Sequence, residues 1–483
     1  MKISLKWLKE YINFDTNVNQ VSEGLTSLGL ECNIISNNLS FTNVVLGKVL
    51  KIIAHPKSDY LKICTVDIGT KDFLQIICGA KNVLNNMFVP VAKVGSTLNN
   101  GEFKIKKVKL RDIESFGMIC SEKELGISNN HEGIMEIKKI SKFKLGEPIE
   151  KVLSLSKDII FEIDLTPNRG DCFSHLGVAR ELSVYLDEKI TKRKFNLIEN
   201  SDLNIKDYIK VINKAPKACY RYACRIVKDV TINESPLWLK EKLQSIDQKS
   251  INNIVDAGNF IMHDYGHPMH TFDYNKISKN KIIIRNAKAG EKIKTLDEEE
   301  RILNDEQLLI CDSKKVIALA GIMGCGNSEI DDKTKDVLIE CAYFEPLKIR
   351  KGSKKVDLST ESSKRFERDT DIDNMMIALD NLAHLVSELG DGKIIKGVID
   401  SYDKVKKNKL ISFDLKKCNQ FLGTNISKEK LNYIFNSLNF KSKNKSWVIP
   451  QYRNDIEREI DLYEEVARVF GYNNIPVSSC LTK

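Results

Sequence analysis

From Val44 to Ile127 the chain breaks into short apolar or alternating runs, VVLGKVLKII, LKICTVDIG, LQIICGA, FVPVAKVG and FKIKKVKLR, separated by Gly, Asn and Pro. Five short strands with turn signals at this spacing read as a small antiparallel β-barrel. Such a barrel accounts for only part of 483 residues, and a chain this long exceeds what one hydrophobic core sustains, so three or four domains are expected.

The flanks have a different texture. Residues 1–40 hold a short amphipathic helix around Trp7, Leu8 and Tyr11 and a second near Val21 to Leu28 stopped by Gly29, too small a piece to stand alone. Residues 150–200 return to mixed structure, with DLTPNRGD as a turn and FSHLGVARELSVYL as a helix. They are expected to pack on residues 1–40 as one α+β module, with the barrel domain (41–149, core 44–127) inserted. Over 207–398, strands such as KIIIRNA, VIALAGIMG and DVLIECAYF alternate with helical SPLWLKEKLQSI and IDNMMIALDNLAHLVSEL, which reads as a separate α+β domain. The lysine-rich YDKVKKNK reads as a linker to a small helical and stranded, winged module over 406–476, and 477–483 as a frayed tail. The expected fold class is α+β, multidomain.

Composition narrows the function classes. A hydrophobic fraction of 42% with 29% charged residues excludes a mainly disordered chain. MKISLKWLKEYINF is interrupted by Lys and Glu, and no window approaches eighteen apolar residues, so neither a secretory signal nor a membrane span is expected and a cytoplasmic location is. Twelve cysteines scatter from Cys32 to Cys480 without a C-x-x-C pair, which suits reduced thiols better than a disulfide framework or structural zinc. With 75 basic against 66 acidic residues the net charge is +9, a mild bias toward polyanions.

The basic residues concentrate in one place. Val44 to Ile127 carries 13 basic and 8 acidic residues, and five of the basics fall within Lys104 to Arg111 with no acid among them. Taken as one alternating strand, this run sets Lys104 and Lys106 on one face and Lys107, Lys109 and Arg111 on the other. It could neutralise phosphates, or it could be a solvated edge strand protected by lysines. The words around it, AHPKSDYLKICTVDIG, QIICGAKNV, VPVAKVGSTL and KLRDIESFGMICSEKELGI, closely resemble the OB-fold tRNA-binding domain of several synthetases and of free-standing tRNA-binding proteins. The resemblance implies an RNA surface formed by Lys106, Lys109, Arg111, Ser115, Met118 and Ser121.

Three of the seven histidines lie in HDYGHPMHTFD, as His263, His267 and His270. Gly266 and Pro268 break any helix there, so the spacing argues against a shared metal-binding face. Glu340 sits among apolar residues in DVLIECAYFEP, where a carboxylate is costly unless it is paired or has a task. The plain explanation is an ion pair with an arginine such as Arg350 or Arg365. Together NNIVDAGNFIMHDYGHPMHTFD, ALAGIMGCGNSEI, DVLIECAYFEP and LSTESSKRFERDTD resemble the editing module of the bacterial phenylalanyl-tRNA synthetase β-subunit family.

That resemblance implies hydrolysis of tyrosine wrongly esterified to tRNA(Phe). A hydrophobic pocket shaped for phenylalanine rejects an analogue with one more hydroxyl by only about a hundredfold, so a second pocket that binds the hydroxyl is useful. Glu340 would accept the phenolic hydrogen bond, His270 and Asn259 would place water and ester, and Gly324 and Thr360 would shape the pocket. The sequence departs from the family at Gly258, Cys325, Ser362 and Asp369, where Thr, Gly, Ala and Gly are usual.

Near the end, PQYRNDIEREIDLYEEVARVFGYNNIP places six acids and one arginine between Asp455 and Glu465. Ile456, Ile460, Tyr463, Ala467 and Phe470 mark the buried stripe of a helix, and Asp461, Glu464 and Glu465 fall on another face. Like charges at those spacings call for something positive nearby: an arginine, a partner chain or a hard cation. This run also resembles the β-subunit family, which implies Mg2+ at Asp455, Asp461, Glu464 and Glu465.

The likeness runs from MKISLKWLKEYI through TPNRGDCFSHLGVARE to GYNNIP. It implies ATP-dependent charging of tRNA(Phe) by an α subunit in an α2β2 heterotetramer, with ATP and Mg2+ serving the complex and only deacylation belonging to this chain. Family members continue into a synthetase-like module and an anticodon-binding module that are not found here, so a fragment or truncated form is expected. A stand-alone trans-editing hydrolase and a non-catalytic tRNA-binding protein are the alternatives.

Overall fold

The structure, a computed structural model, describes residues 1–483 except 16, 38–40, 128–131, 138–142, 154–157, 192, 194, 403–405 and 477–483. Residues 403–405 of the expected linker and the expected tail at 477–483 therefore lie outside the described residues. Two compact units result, Ser36–Ile159 and a second made of Met1–Ile35 with Ile160–Lys483.

In the first unit, five antiparallel strands stand in the order Gly117–Ile119, Phe88–Lys93, Val44–Ala54, Lys62–Asp67 and Leu74–Cys78. Their alternation buries Val45, Val49, Cys64, Val66, Ile76, Val89 and Val91 on one side. Each such side chain contributes about 1.5–3 kcal/mol on burial. The sheet curls until its last strand returns to the 114–117 segment. There the Phe116 amide donates to Gln75 O (2.9 Å) and the Ile77 amide to Ser115 Oγ (3.1 Å), giving the expected OB-like barrel.

The basic run corrects the reading of Lys104 to Arg111 as one strand. Phe103–Lys104 pairs with Thr97–Leu98, whereas Val108–Leu110 forms a separate hairpin with Ile113–Ser115. Two facts divide them. Ile105 is buried and exchanges hydrogen bonds with Gly95 and Ser96, and Arg111 and Asp112 both adopt positive φ (45° and 75°) at the hairpin tip. Lys106 and Lys107 lie between the strands, so alternation does not sort them to faces.

In the second unit, Lys2–Ser4 pairs with Asp158–Asp164, and Trp7 stacks between His175 (3.8 Å) and Phe260 (4.9 Å) while its Nε1 donates to the buried Asp264 (2.7 Å). At the centre, a six-stranded sheet runs Glu199–Asn204, Lys393–Lys396, Cys219–Lys228, Val337–Phe344, Met269–Asp273, with Ile399–Ser401 also paired to Cys219–Lys228. Every residue of Val337–Phe344 is buried. Tyr222, Cys224, Leu338 and Ala342 share one core with Ile310, Ile317, Ala318, Leu319 and Cys325 of a second, five-stranded sheet. The helices Asn253–Tyr265 and Met375–Gly390 belong to the same domain; Cys341 Sγ donates to Met375 O at the start of the latter. Last come three helices, Leu415–Leu422, Lys428–Ser437 and Glu459–Phe470, around Ile434, Phe435, Phe440 and Trp447, with the three strands Lys409–Ser412, Ser446–Ile449 and Lys441–Lys443. The class is α+β, as expected. Among the described residues no helix is long and apolar enough to cross a membrane.

Candidate active site

Asn252 caps the helix Asn253–Tyr265 by accepting from the Ile254 and Val255 amides, and Gly266 (φ 77°) ends it, turning the chain into the strand Met269–Asp273. That strand pairs antiparallel with Val337–Phe344 in a register that sets His270 opposite Glu340. Register partners share a sheet face, so a half-buried imidazole and a buried carboxylate stand side by side on the face toward the second sheet.

Gly324 closes that face from the other sheet. A Cβ on it would lie 2.5 Å from His270 Cε1 and 2.6 Å from Nε2, so only glycine lets the imidazole occupy this place. Thr360 caps the helix Glu361–Phe366 and donates its Oγ1 to Ile322 O (2.8 Å), tying down the turn that delivers Gly324. The structure thus gathers His270, Glu340, Gly324 and, through the turn, Thr360. Asn259 stands half-buried on its helix without a hydrogen bond to any of them. Beside it Gly258 has open space where a side chain would be.

Burial sets the proton states. Desolvation holds His270 down at about 4, so near pH 7 it is a neutral imidazole able to accept from one ring nitrogen and donate from the other. Burial pushes the Glu340 carboxyl up to about 7, opposed by one hydrogen bond to the charged form. Its donor corrects the expected ion pair: Tyr222 Oη donates to Glu340 Oε2 (3.0 Å). Arg350 is exposed, and Arg365 is spent on Glu361, the Phe173 carbonyl and His263. Tyr222 was not singled out from the sequence; its only signal there is the alternation of CYRYACRIV, which puts it on the Cys224 face.

The three histidines diverge. His263 meets Arg365 (3.1 Å) and His267 Nε2 meets Ala342 O (2.9 Å), away from His270. Among the described residues the group with metal-ligand spacing is Asp171, Cys172 and Glu181, and Arg169 is bonded into all three.

The acidic set near the end does not converge either. Arg453 holds Asp455 (2.9 and 2.8 Å) and Glu465 (2.5 and 2.8 Å), and Arg468 adds two further bonds to Glu465 (3.2 and 2.6 Å). Burial alone would raise the Glu465 carboxyl, but these two guanidiniums outweigh it and hold it well below the usual range. Asp461 accepts the Glu457 and Arg458 amides at its helix N-terminus (2.8 Å each), and Glu464 is exposed. A hard cation needs several free oxygens; Glu465 is saturated by two arginines and both oxygens of Asp455 are engaged by Arg453, so the four residues as arranged do not fit Mg2+.

Of the residues expected at an RNA surface, Lys106, Lys109 and Arg111 are exposed, and Arg111 lies over the Tyr60 ring (5.5 Å). Met118 is half-buried. Ser115 and Ser121 are corrections: both are buried, Ser115 bridging the Ile77 amide and the Gly117 carbonyl, Ser121 bonded to Glu124.

Family models match the barrel, the two-sheet domain with its carboxylate and imidazole, and the terminal helical module. A putative tRNA binding domain matches residues 44–147, a B3/4 domain 218–391 and a tRNA synthetase B5 domain 411–472. Curated relatives are the phenylalanine--tRNA ligase β subunits of Geobacter metallireducens (42% identical over 99% of this chain and 60% of that protein), Clostridium tetani (42%, 99% and 61%) and Fusobacterium nucleatum (40%, 98% and 60%). Over nearly all of its own length this chain is similar to phenylalanine--tRNA ligase β subunits. It spans about 60% of the length of the relatives it matches. Among solved structures, an N-terminal fragment of the phenylalanyl-tRNA synthetase β-subunit from Pyrococcus horikoshii aligns at TM-score 0.34 and 17% identity over 65% of this chain and 87% of that one.

Proposed function

We propose that this chain serves as the β subunit of a phenylalanine--tRNA ligase, binding tRNA(Phe) for an α subunit that charges it, and that its two-sheet domain hydrolyses tyrosine wrongly attached to that tRNA. The carrying observation is the pairing of His270 with Glu340 on one buried sheet face beside Gly324. ATP and Mg2+ belong to the charging reaction of the whole ligase, and an α2β2 assembly is part of the same reading.

In this reading the aromatic side chain of the mischarged residue enters against the apolar core and its hydroxyl donates to Glu340. Phenylalanine would bury that acceptor without a partner and is disfavoured by the desolvation of an unpaired carboxylate. The neutral His270 accepts a proton of the attacking water in a hydrogen bond, or donates to the ester carbonyl, which positions the reaction without its becoming a cation. The new bond joins water oxygen to carbonyl carbon, the ester C–O bond breaks, and the ribose oxygen leaves with a proton.

The test is deacylation of tyrosine-charged tRNA(Phe) by the full chain, alone and with a matching α subunit. Hydrolysis is expected, with His270→Ala lowering kcat by roughly a hundredfold and Glu340→Ala abolishing the preference for tyrosine over phenylalanine esters. Absence of turnover in both preparations would overturn the hydrolytic part of the reading.

A further inference from the structure

Glu340 was expected to wait for a phenol from the substrate, yet the fold already supplies one. Tyr222 lies on Cys219–Lys228, the neighbour of Glu340's strand on the side away from His270. The register pairs Cys224 with Glu340 and Tyr222 with Ala342, so Tyr222 is the diagonal neighbour on the same face. Its side chain is fully buried, and its hydroxyl donates to Glu340 Oε2 at 3.0 Å. Glu340 Oε1 has no hydrogen-bond partner among the described residues.

We propose that Tyr222 is a specificity-determining positioning residue: by occupying Oε2 it fixes the Glu340 carboxylate and leaves Oε1 as the single acceptor for the hydroxyl of a bound aromatic amino acid. This rests on the hydrolytic reading above. A carboxylate has four lone-pair directions over two oxygens, and an unconstrained one can rotate to meet water or a misplaced donor. Held on one side by an internal phenol, it keeps a fixed orientation with Oε1 as the oxygen unpartnered among the described residues, and a substrate ring has one depth at which its own hydroxyl reaches it.

The same bond biases which form of Glu340 exists. A protonated carboxyl carrying its hydrogen on Oε1 would donate to the substrate hydroxyl instead of accepting from it, and that neutral bond is weaker than the charge-assisted one made by the carboxylate. Tyr222 is itself kept protonated, because burial and the adjoining carboxylate raise its phenol well above the ordinary value, so it remains a donor across the working pH range. Its hydrogen bond pulls the Glu340 carboxyl back toward ionisation against the burial that pushes it up. The titratable groups around Glu340 are Tyr222, Cys219 and Cys224 from one neighbouring strand, His270 from the other and Cys341 beside it in its own strand.

The decisive variant is Tyr222→Phe, which keeps the ring and removes only the donor. With tRNA(Phe) carrying tyrosine as the probe, KM is expected to rise about tenfold while kcat changes by less than about threefold, the split for a group that orients the acceptor and does not touch the ester. The rise of kcat/KM with pH is expected to move to higher pH. Cys224→Ala is the packing control, equally buried but without a hydrogen bond to Glu340, and should leave both the tyrosine-to-phenylalanine preference and the pH profile in place. If Tyr222→Phe fails to fold, 3-fluorotyrosine at position 222 carries the test, since its more acidic phenol strengthens the donated bond and should move the profile the opposite way. An active wild type whose preference and pH profile are unchanged by the 222 replacement, or changed equally by Cys224→Ala, would overturn the assignment to Tyr222. An inactive wild type would instead overturn the hydrolytic reading on which it rests.

Discussion

His270 and Glu340 are direct register partners across two antiparallel strands, and burial moves their proton equilibria in opposite directions. Glu340, raised from 4.5 to about 7, stabilises the fold when protonated, and that contribution fades as pH rises from 4.5 through 7. His270, lowered from 6.5 to about 4, stabilises the fold when neutral, and that contribution fades as pH falls from 6.5 through 4. Between about 4.5 and 6.5 the two slopes offset each other.

Glu340→Gln removes one of the two slopes. The variant should be more stable than the wild type at pH 8, by up to roughly 3 kcal/mol. The advantage should vanish by pH 4. Urea midpoints for both proteins across pH 4–8 measure it, and equal midpoints at pH 8 would contradict the buried, strained carboxylate.

Gly324→Ala should act on activity far more than on stability. The added methyl would meet the imidazole at 2.5 Å, and a ring edge can swing aside more easily than backbone can. A displacement of about an ångström at a reacting group costs on the order of a hundredfold in rate. Deacylation assays alongside a melting curve separate the two effects, and full activity in a folded Gly324→Ala protein would show that His270 is not held where the structure puts it.

Arg453→Met should destabilise the terminal helical module by about 3–5 kcal/mol, because it leaves the buried Glu465 and Asp455 short of their principal cation. Incubation of the wild-type chain with a chelator should leave its melting temperature unchanged, since arginines neutralise these acids. A chelator-induced loss of several degrees would require a cation that displaces Arg453.

Binding of tRNA should weaken steeply with salt. Replacing Lys106, Lys109 and Arg111 together by Ala should lower the slope of log affinity against log salt by about 2–3, one unit or slightly less per lost phosphate contact. Replacing the buried Ser115 should leave the slope intact and instead loosen barrel closure at Ile77. An unchanged slope in the triple variant would move the RNA surface elsewhere.

What could be read in the sequence depended on the range of the interaction. Barrel strands such as Lys62–Asp67 were legible because their alternation is local and each buried face is decided by period two. The division at Ile105 was not, because that residue turns into a second apolar cluster, with Val44, Leu46 and Leu98 on the other side of the sheet, within a run of lysines. His270 and Glu340 could be named from motif wording, but their adjacency is a matter of register between strands some seventy residues apart. Tyr222 was invisible for the same reason: its partner lies 118 residues away. Of the two arginines that neutralise Glu465, Arg468 lies three residues further along the same helix, whereas Arg453 comes back across the module, which no helical spacing announces.

One further consequence concerns the order in which the chain takes shape as it is made. Trp7 finishes its environment on Phe260 and on Asp264, 257 residues downstream. At ribosomal speeds of roughly 5–20 residues per second that wait lasts on the order of ten to fifty seconds. During it the contiguous stretch Ser36–Ile159 emerges whole and can close its own core. The helix Leu5–Leu8 meanwhile remains without its final partners, an apolar, tryptophan-bearing segment exposed on the nascent chain. A ribosome stalled before Phe260 is added would present a finished barrel while Trp7 still lacked Phe260 and Asp264.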